Sequence, residues 1–150
     1  PTAKRCYDYG KALGRAIKSW DTKAQVGVAA SGGMSHFVID EALDKRLIDA
    51  LINRDEAALN SEPEYSLRSG NSEIKNWIIV AGICAETDME MTLHDYVPCY
   101  RSEAGTGSGM AFATLSPTAY GYPNTRAASR TAARALIWLN VTIWATWSRP

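Results

Sequence analysis

A short apolar run, Ala24-Gln25-Val26-Gly27-Val28-Ala29-Ala30, empties into the glycine turn Ser31-Gly32-Gly33-Met34-Ser35-His36, and an amphipathic segment follows. No other feature restricts the chain as much. The run lacks regular polar alternation and is bounded by turn residues, which predicts a strand buried on both faces. Between Asp40 and Arg54, Leu43, Leu47, Ile48, Leu51 and Ile52 recur at helical spacing, with acids first and an arginine last. That order suits the helix dipole and predicts a helix laying one apolar stripe on a core.

Residues 3–20 place Ala3, Tyr7, Leu13, Ile17 and Trp20 at helical spacing, with Thr2 as N-cap and Asp21 at the stop. Gly10 and Gly14 each weaken that helix by about 1 kcal/mol relative to alanine, so another element packs closely against them. A short helix is expected over Asp55–Leu59, then a polar, proline-containing connection from Glu62 to Gly70. Asn71 or Ser72 caps a third long helix from Glu73 to about Ala85, with Ile74, Trp77, Ile78 and Ala81 on its apolar face. Met89 to Tyr100 has strand content, and Pro98 forces a strand end or an edge. Gly105-Thr106-Gly107-Ser108-Gly109 reads as a flexible loop before a last strand, Met110 to Leu115. Helices separating strands indicate an α/β fold, a sheet flanked by helices.

Charge divides the chain. Residues 1–115 hold all 16 acids and 12 of the 16 basic residues, a balance of −4, whereas residues 116–150 hold four arginines and no acid. Residues 1–115 therefore read as one domain and 116–150 as an atypical tail, first rich in Arg and Ala and then in Trp. Its apolar part, residues 135–147, is too short to span a bilayer. It suits an interfacial helix, an element docked on the core or an unstructured end. Neither part is basic enough to indicate nucleic acid. The cysteines, Cys6, Cys84 and Cys99, show no paired spacing. That pattern, with no secretory leader in view, fits a reducing cytoplasm.

Two histidines are present, His36 and His94. His36 follows a strand and two glycines, where ligands bind in open α/β sheets, and imidazole is suited to proton transfer near neutral pH. A histidine in that place also serves by bonding a neighbouring carbonyl, and position alone leaves both roles open. Glu73 opens a helix, where a carboxylate is favoured electrostatically. His94 lies inside a strand-like run and reads as a packed or half-exposed strand residue, with Asp95-Tyr96 beside it facing solvent or a turn. The glycine loop at 105–109 lacks the helix and the Lys or Asp partner of a phosphate cradle.

Four segments, GKALGRAIKSW, VGVAASGGMSHFVIDEALDKRLIDAL, SGNSEIKNWI and DYVPCYRSEAGTGSGMAFA, in that order resemble the C-terminal half of the class III extradiol ring-cleavage dioxygenases. The nearest group is the catalytic β subunit of protocatechuate 4,5-dioxygenase and its relatives. The resemblance covers about residues 1–115. It implies a partial version of that subunit's fold and cleavage of a catechol, protocatechuate-like or gallate-like, by O₂ with non-haem Fe(II). Two histidines and one glutamate hold the iron in that family, leaving positions open for substrate and dioxygen. The resemblance makes His36 the acid/base, Glu73 the carboxylate ligand, and Ser35, Tyr100, Gly105 and Thr106 parts of the substrate pocket. The family's two histidine ligands lie in segments without counterparts here, and His94 is not promoted in their place. Expected partners are a homo-oligomer, the missing N-terminal half or a small subunit. The alternatives are a truncated, non-catalytic remnant that associates through an exposed apolar face, and a binding module that uses its Trp-rich end.

Overall fold

The computed structural model describes residues 1–21, 26–87 and 89–117, together with the backbone of 144–147. Helix α1 (Ala3–Ser19) starts where the Thr2 side chain accepts the Arg5 N–H. Strands β1 (Val26–Val28) and β2 (His36–Val38) follow. Helices α2 (Glu41–Ile52) and α3 (Glu56–Ser61) are capped by Asp40 and Asp55, whose carboxylates accept the N–H groups of Leu43 and Ala58. Two 3₁₀ turns, Glu64–Leu67 and Ser69–Glu73, lead directly into α4 (Ile74–Ala85). Strands β3 (Met89–Tyr100), β4 (Thr106–Pro117) and β5 (Trp144–Trp147) complete the described elements.

β4 is the axis of the sheet. β3 runs antiparallel to it along nearly its whole length, with Met89 opposite Pro117 and Tyr100 opposite Gly107. On its other edge β2 pairs antiparallel at Thr106–Ser108, and β5 pairs parallel at Thr114 and Leu115. β1 lies beyond β5. Pro98 is tolerated because, among the described residues, β3 has a neighbour on one side only. The result is the expected mixed fold, helices packed against a sheet, and the three cysteines are free.

Five expectations are corrected. β1 is three residues long and half-exposed rather than buried on both faces, because it sits at the end of the sheet. The strand of the turn region is β2, which begins with His36 itself. The glycine segment 105–109 is strand from Thr106 onward, where glycine lets β3 and α2 approach the backbone. Ile52 is exposed, and Asp44 takes its place on the buried stripe of α2. Trp20 is 57% exposed, and the buried face of α1 is carried by Ala3, Cys6, Tyr7, Gly10 and Gly14. Of the tail, Trp144–Trp147 forms a strand, and residues 118–143 and 148–150 lie outside the described residues.

α1 and α4 pack face to face. A Cβ at Gly10 would collide with the Ile79 carbonyl, and one at Gly14 with Glu86 and Ile83. This close approach is what the two glycines required. α4 is buried on most of its circumference, with α1 on one side and the core on the other; Ile74, Trp77 and Ile78 have no exposed surface. It therefore acts as a rigid post. The turn that carries His36 is fastened to its N-terminal end.

Candidate active site

The turn at residues 31–36 is gripped by side chains from α4 and the 3₁₀ turn before it. The Asn76 amide donates to the Ser31 carbonyl at 2.7 Å, and the Trp77 indole donates to the Gly32 carbonyl at 3.0 Å. Gly33 N–H donates to Glu73 Oε2 at 3.1 Å, and Asn71 Oδ1 accepts His36 N–H at 2.7 Å. Asn71 is thus spent on the turn and not on capping the helix. Gly32 has φ 119°, and a Cβ there would sit 2.5 Å from Glu73 Oε2. Only glycine lets the backbone pass so close to that carboxylate.

His36 and Glu73 come together. Nε2 lies 3.3 Å from Glu73 Oε2, with the imidazole 22% exposed and the Glu73 side chain 47% exposed. Nδ1 is 2.8 Å from the Met34 carbonyl oxygen. A carbonyl only accepts, so Nδ1 carries a proton and the neutral ring presents a lone pair at Nε2. Two acceptors then face each other across 3.3 Å. A positive charge between them, a proton on Nε2 or a cation, turns that contact from repulsive to attractive. His36 therefore bonds a neighbouring carbonyl through Nδ1, while its Nε2 lies against Glu73.

Behind the turn lies a buried polar cluster that periodicity did not reveal. Asp44 has no exposed surface. Its Oδ1 accepts Ser35 N–H at 2.8 Å, and its Oδ2 accepts the Ser35 hydroxyl and the Tyr96 hydroxyl, each at 2.7 Å. Ser35 Oγ also accepts the Asp40 N–H at 2.9 Å. Burial is the largest influence on Asp44 and pushes its carboxyl above the ordinary value; the three donors pull the other way. Tyr96, expected to face solvent or a turn, is half-buried, and burial together with its bond to Asp44 pushes its phenol up. The one available signal was an acid on the apolar stripe between Leu43 and Leu47.

The remaining predicted residues divide between rim and interior. Ser35 is fully buried, and its hydroxyl is committed to Asp44 and Asp40, so it stands behind the surface on which His36 opens. Tyr100 is 52% exposed and donates to Glu41 Oε1. Thr106 Oγ1 is 2.7 Å from Ser102 Oγ, and Gly105, at φ 78°, has open space around it. The β2–β4–β3 register places Val38 beside Thr106, and Phe37 and Tyr100 on either side of Gly107. Phe37 and Val38 are 69% and 60% exposed, which makes this rim apolar. His94 bonds Thr114 Oγ1 across β3 and β4 and is a surface strand residue.

A metal site built from the described residues alone does not fit. No group of three His, Cys, Asp or Glu side chains converges among them, and Glu73 and His36 stand as a pair. Nor is any helix among the described residues long and apolar enough to cross a membrane.

Residues 1–107 match the family described as the catalytic LigB subunit of aromatic ring-opening dioxygenase. A gallate dioxygenase from Pseudomonas putida is 35% identical in an alignment of 92 positions that covers 55% of this chain and 27% of that protein. The chain thus spans about a quarter of the length of this curated relative. No solved structure matches it.

Proposed function

Because the chain belongs to the family of catalytic LigB subunits of aromatic ring-opening dioxygenases, we propose that it carries the proton-handling part of an extradiol cleavage site for a catechol. The observation that carries this reading is the His36–Glu73 pair, with Nδ1 occupied by a backbone carbonyl and Nε2 left free beside a carboxylate. In this reading His36 Nε2 accepts a proton from a substrate hydroxyl and returns it to an oxygen of the opening ring. A general base needs a free lone pair within hydrogen-bond reach of that proton. Glu73 is the carboxylate ligand offered to Fe(II), whose remaining ligands come from outside the described residues. Tyr100, Gly105 and Thr106 form the rim over the substrate ring, and Ser35 contributes from behind by fixing the turn. Gallate and protocatechuate are the substrates to try first, in keeping with the gallate dioxygenase relative.

The test is anaerobic Fe(II) titration of the chain, then gallate or protocatechuate, then air. Ring-opened product that disappears in both His36→Gln and Glu73→Gln supports the reading, and product unaffected by either change refutes the assigned roles. A second reading, a non-catalytic portion of a dioxygenase domain, is favoured by the lack of a third ligand among the described residues. It predicts neither iron uptake nor product from this chain alone.

A further inference from the structure

The peptide group joining Met34 to Ser35 is bonded at both ends. Its N–H donates to Asp44 Oδ1 at 2.8 Å, and its carbonyl accepts Nδ1–H of His36, also at 2.8 Å. Met34, Ser35 and Asp44 have no exposed surface. A carboxylate at the N–H end of a peptide draws electron density toward the carbonyl oxygen and makes it a better acceptor. In a medium shielded from water such chains of hydrogen bonds strengthen one another.

We infer that Asp44 is a positioning residue for His36, acting through the Met34–Ser35 peptide as a relayed counterpart of the carboxylate that orients an imidazole in direct Asp–His pairs. The relay holds the proton on Nδ1, so the Nε2 lone pair faces Glu73 and the substrate edge. The rest of the site is built to keep it aligned. Met34 N–H donates to the Gly109 carbonyl at 2.9 Å, and Gly109 N–H donates to the Ser35 carbonyl at 2.8 Å, so the peptide cannot rotate. Asp44 is itself held through Oδ2 by Tyr96 and Ser35, and a Cβ at Gly109 would occupy the space of that oxygen. A lone turn histidine needs none of this apparatus. The catalytic meaning of the relay rests on the proposed acid/base role of His36, but its existence does not.

Long-range ¹H–¹⁵N NMR reads imidazole tautomers directly, and with two histidines the spectrum has one internal control, His94. The measurement uses the full chain without iron or substrate at about pH 9, above the imidazole range. Asp44→Asn keeps an oxygen for Ser35 N–H and removes the charge; the Nδ1–H to Nε2–H ratio of His36 falls roughly fivefold, equivalent to about 1 kcal/mol. Tyr96→Phe keeps the charge and leaves the ratio unchanged. A folded Asp44→Asn protein with the wild-type ratio, or a Tyr96→Phe protein shifted as far, overturns the relay. Should Asp44→Asn fail to fold, the wild-type chain decides. Scalar couplings across the hydrogen bonds from Ser35 ¹⁵N to the Asp44 carboxylate ¹³C, and from His36 ¹⁵Nδ1 to the Met34 carbonyl ¹³C, are expected. Absence of either overturns the proposal. No arm requires turnover, so an inert chain bears on the dioxygenase reading alone.

Discussion

Replacing Trp77 by phenylalanine tests whether the turn that carries His36 is held from the core. Trp77 is fully buried on α4, and its indole N–H donates to the Gly32 carbonyl at 3.0 Å. Phenylalanine fills part of the space but has no donor. The buried Gly32 carbonyl then loses its partner, at about 1–3 kcal/mol. The space left by the missing ring atoms adds about 1–2 kcal/mol, scaled down from the larger losses seen on truncation to alanine. The sum, about 3 kcal/mol, lowers Tm by about 10 °C for a domain of this size. Urea unfolding followed by circular dichroism gives the global loss, read from the midpoint at unchanged slope. Hydrogen exchange gives the local one. Protection of the Gly33 and Met34 amides, which bond Glu73 and Gly109, falls by more than the global loss accounts for. A loss below about 1 kcal/mol would mean that the indole bond is dispensable and that α4 does not anchor the turn.

Three further outcomes follow from the geometry. Gly32→Ala costs about 1–3 kcal/mol from its φ of 119° and also pushes on Glu73, whereas Gly105→Ala, in open space, costs its backbone strain alone; equal urea midpoints would refute the close approach. Gly10→Ala separates α1 from α4 and costs about 1–3 kcal/mol, visible as a lower Tm; a helix-propensity gain instead would mean that the two helices are not in contact there. For Asp44, burial raises the folded carboxyl above its ordinary value of 3.8, so the native state holds a proton the unfolded chain releases. That contribution is complete below the unfolded value and is lost as pH rises through the folded one. Relative to wild type, Asp44→Asn therefore gains stability as pH rises from about 4, and a difference independent of pH refutes the assignment.

The parts of this fold legible in the sequence are those where one physical signal acts alone. α2 and α3 begin at Asp40 and Asp55 because an acid before an apolar period can cap and can do little else there. The glycines of α1 announced a neighbour without identifying it as Ile79, Ile83 and Glu86. Legibility failed where two demands met on one residue. Gly107 and Gly109 read as loop because glycine is poor in strands, yet both are buried strand positions that β3 and α2 crowd. Asp44 read as an ordinary first-turn acid because the dipole explains it sufficiently. His36 and Glu73 were each visible as candidates, but nothing in their spacing pairs them. Their expected roles came from resemblance, and the structure adds that the two side chains are neighbours.

The way the pair is held divides the site into a back and a rim with different consequences for change. On the back, Trp77, Asp44 and the Gly109 backbone are buried and bonded to the turn itself, so altering them alters both folding and the geometry of His36. On the rim, Tyr100 and Thr106 hold surface bonds to Glu41 and Ser102, and Phe37 and Val38 lie open. Exposed bonds of that kind contribute about 0.5–1.5 kcal/mol each, too little to constrain the fold. Phe37 follows His36 directly in the chain and belongs to the rim. Its φ of 69° is strained for an aromatic residue, and its ring lies against Gly70, which also abuts His36 Cβ. The residue that follows His36 in the chain is therefore held in an unfavoured conformation, the kind of strain that persists where the surroundings over-determine it. Substitutions at the rim can consequently change the apolar surface there while the His36–Glu73 pair stays in place.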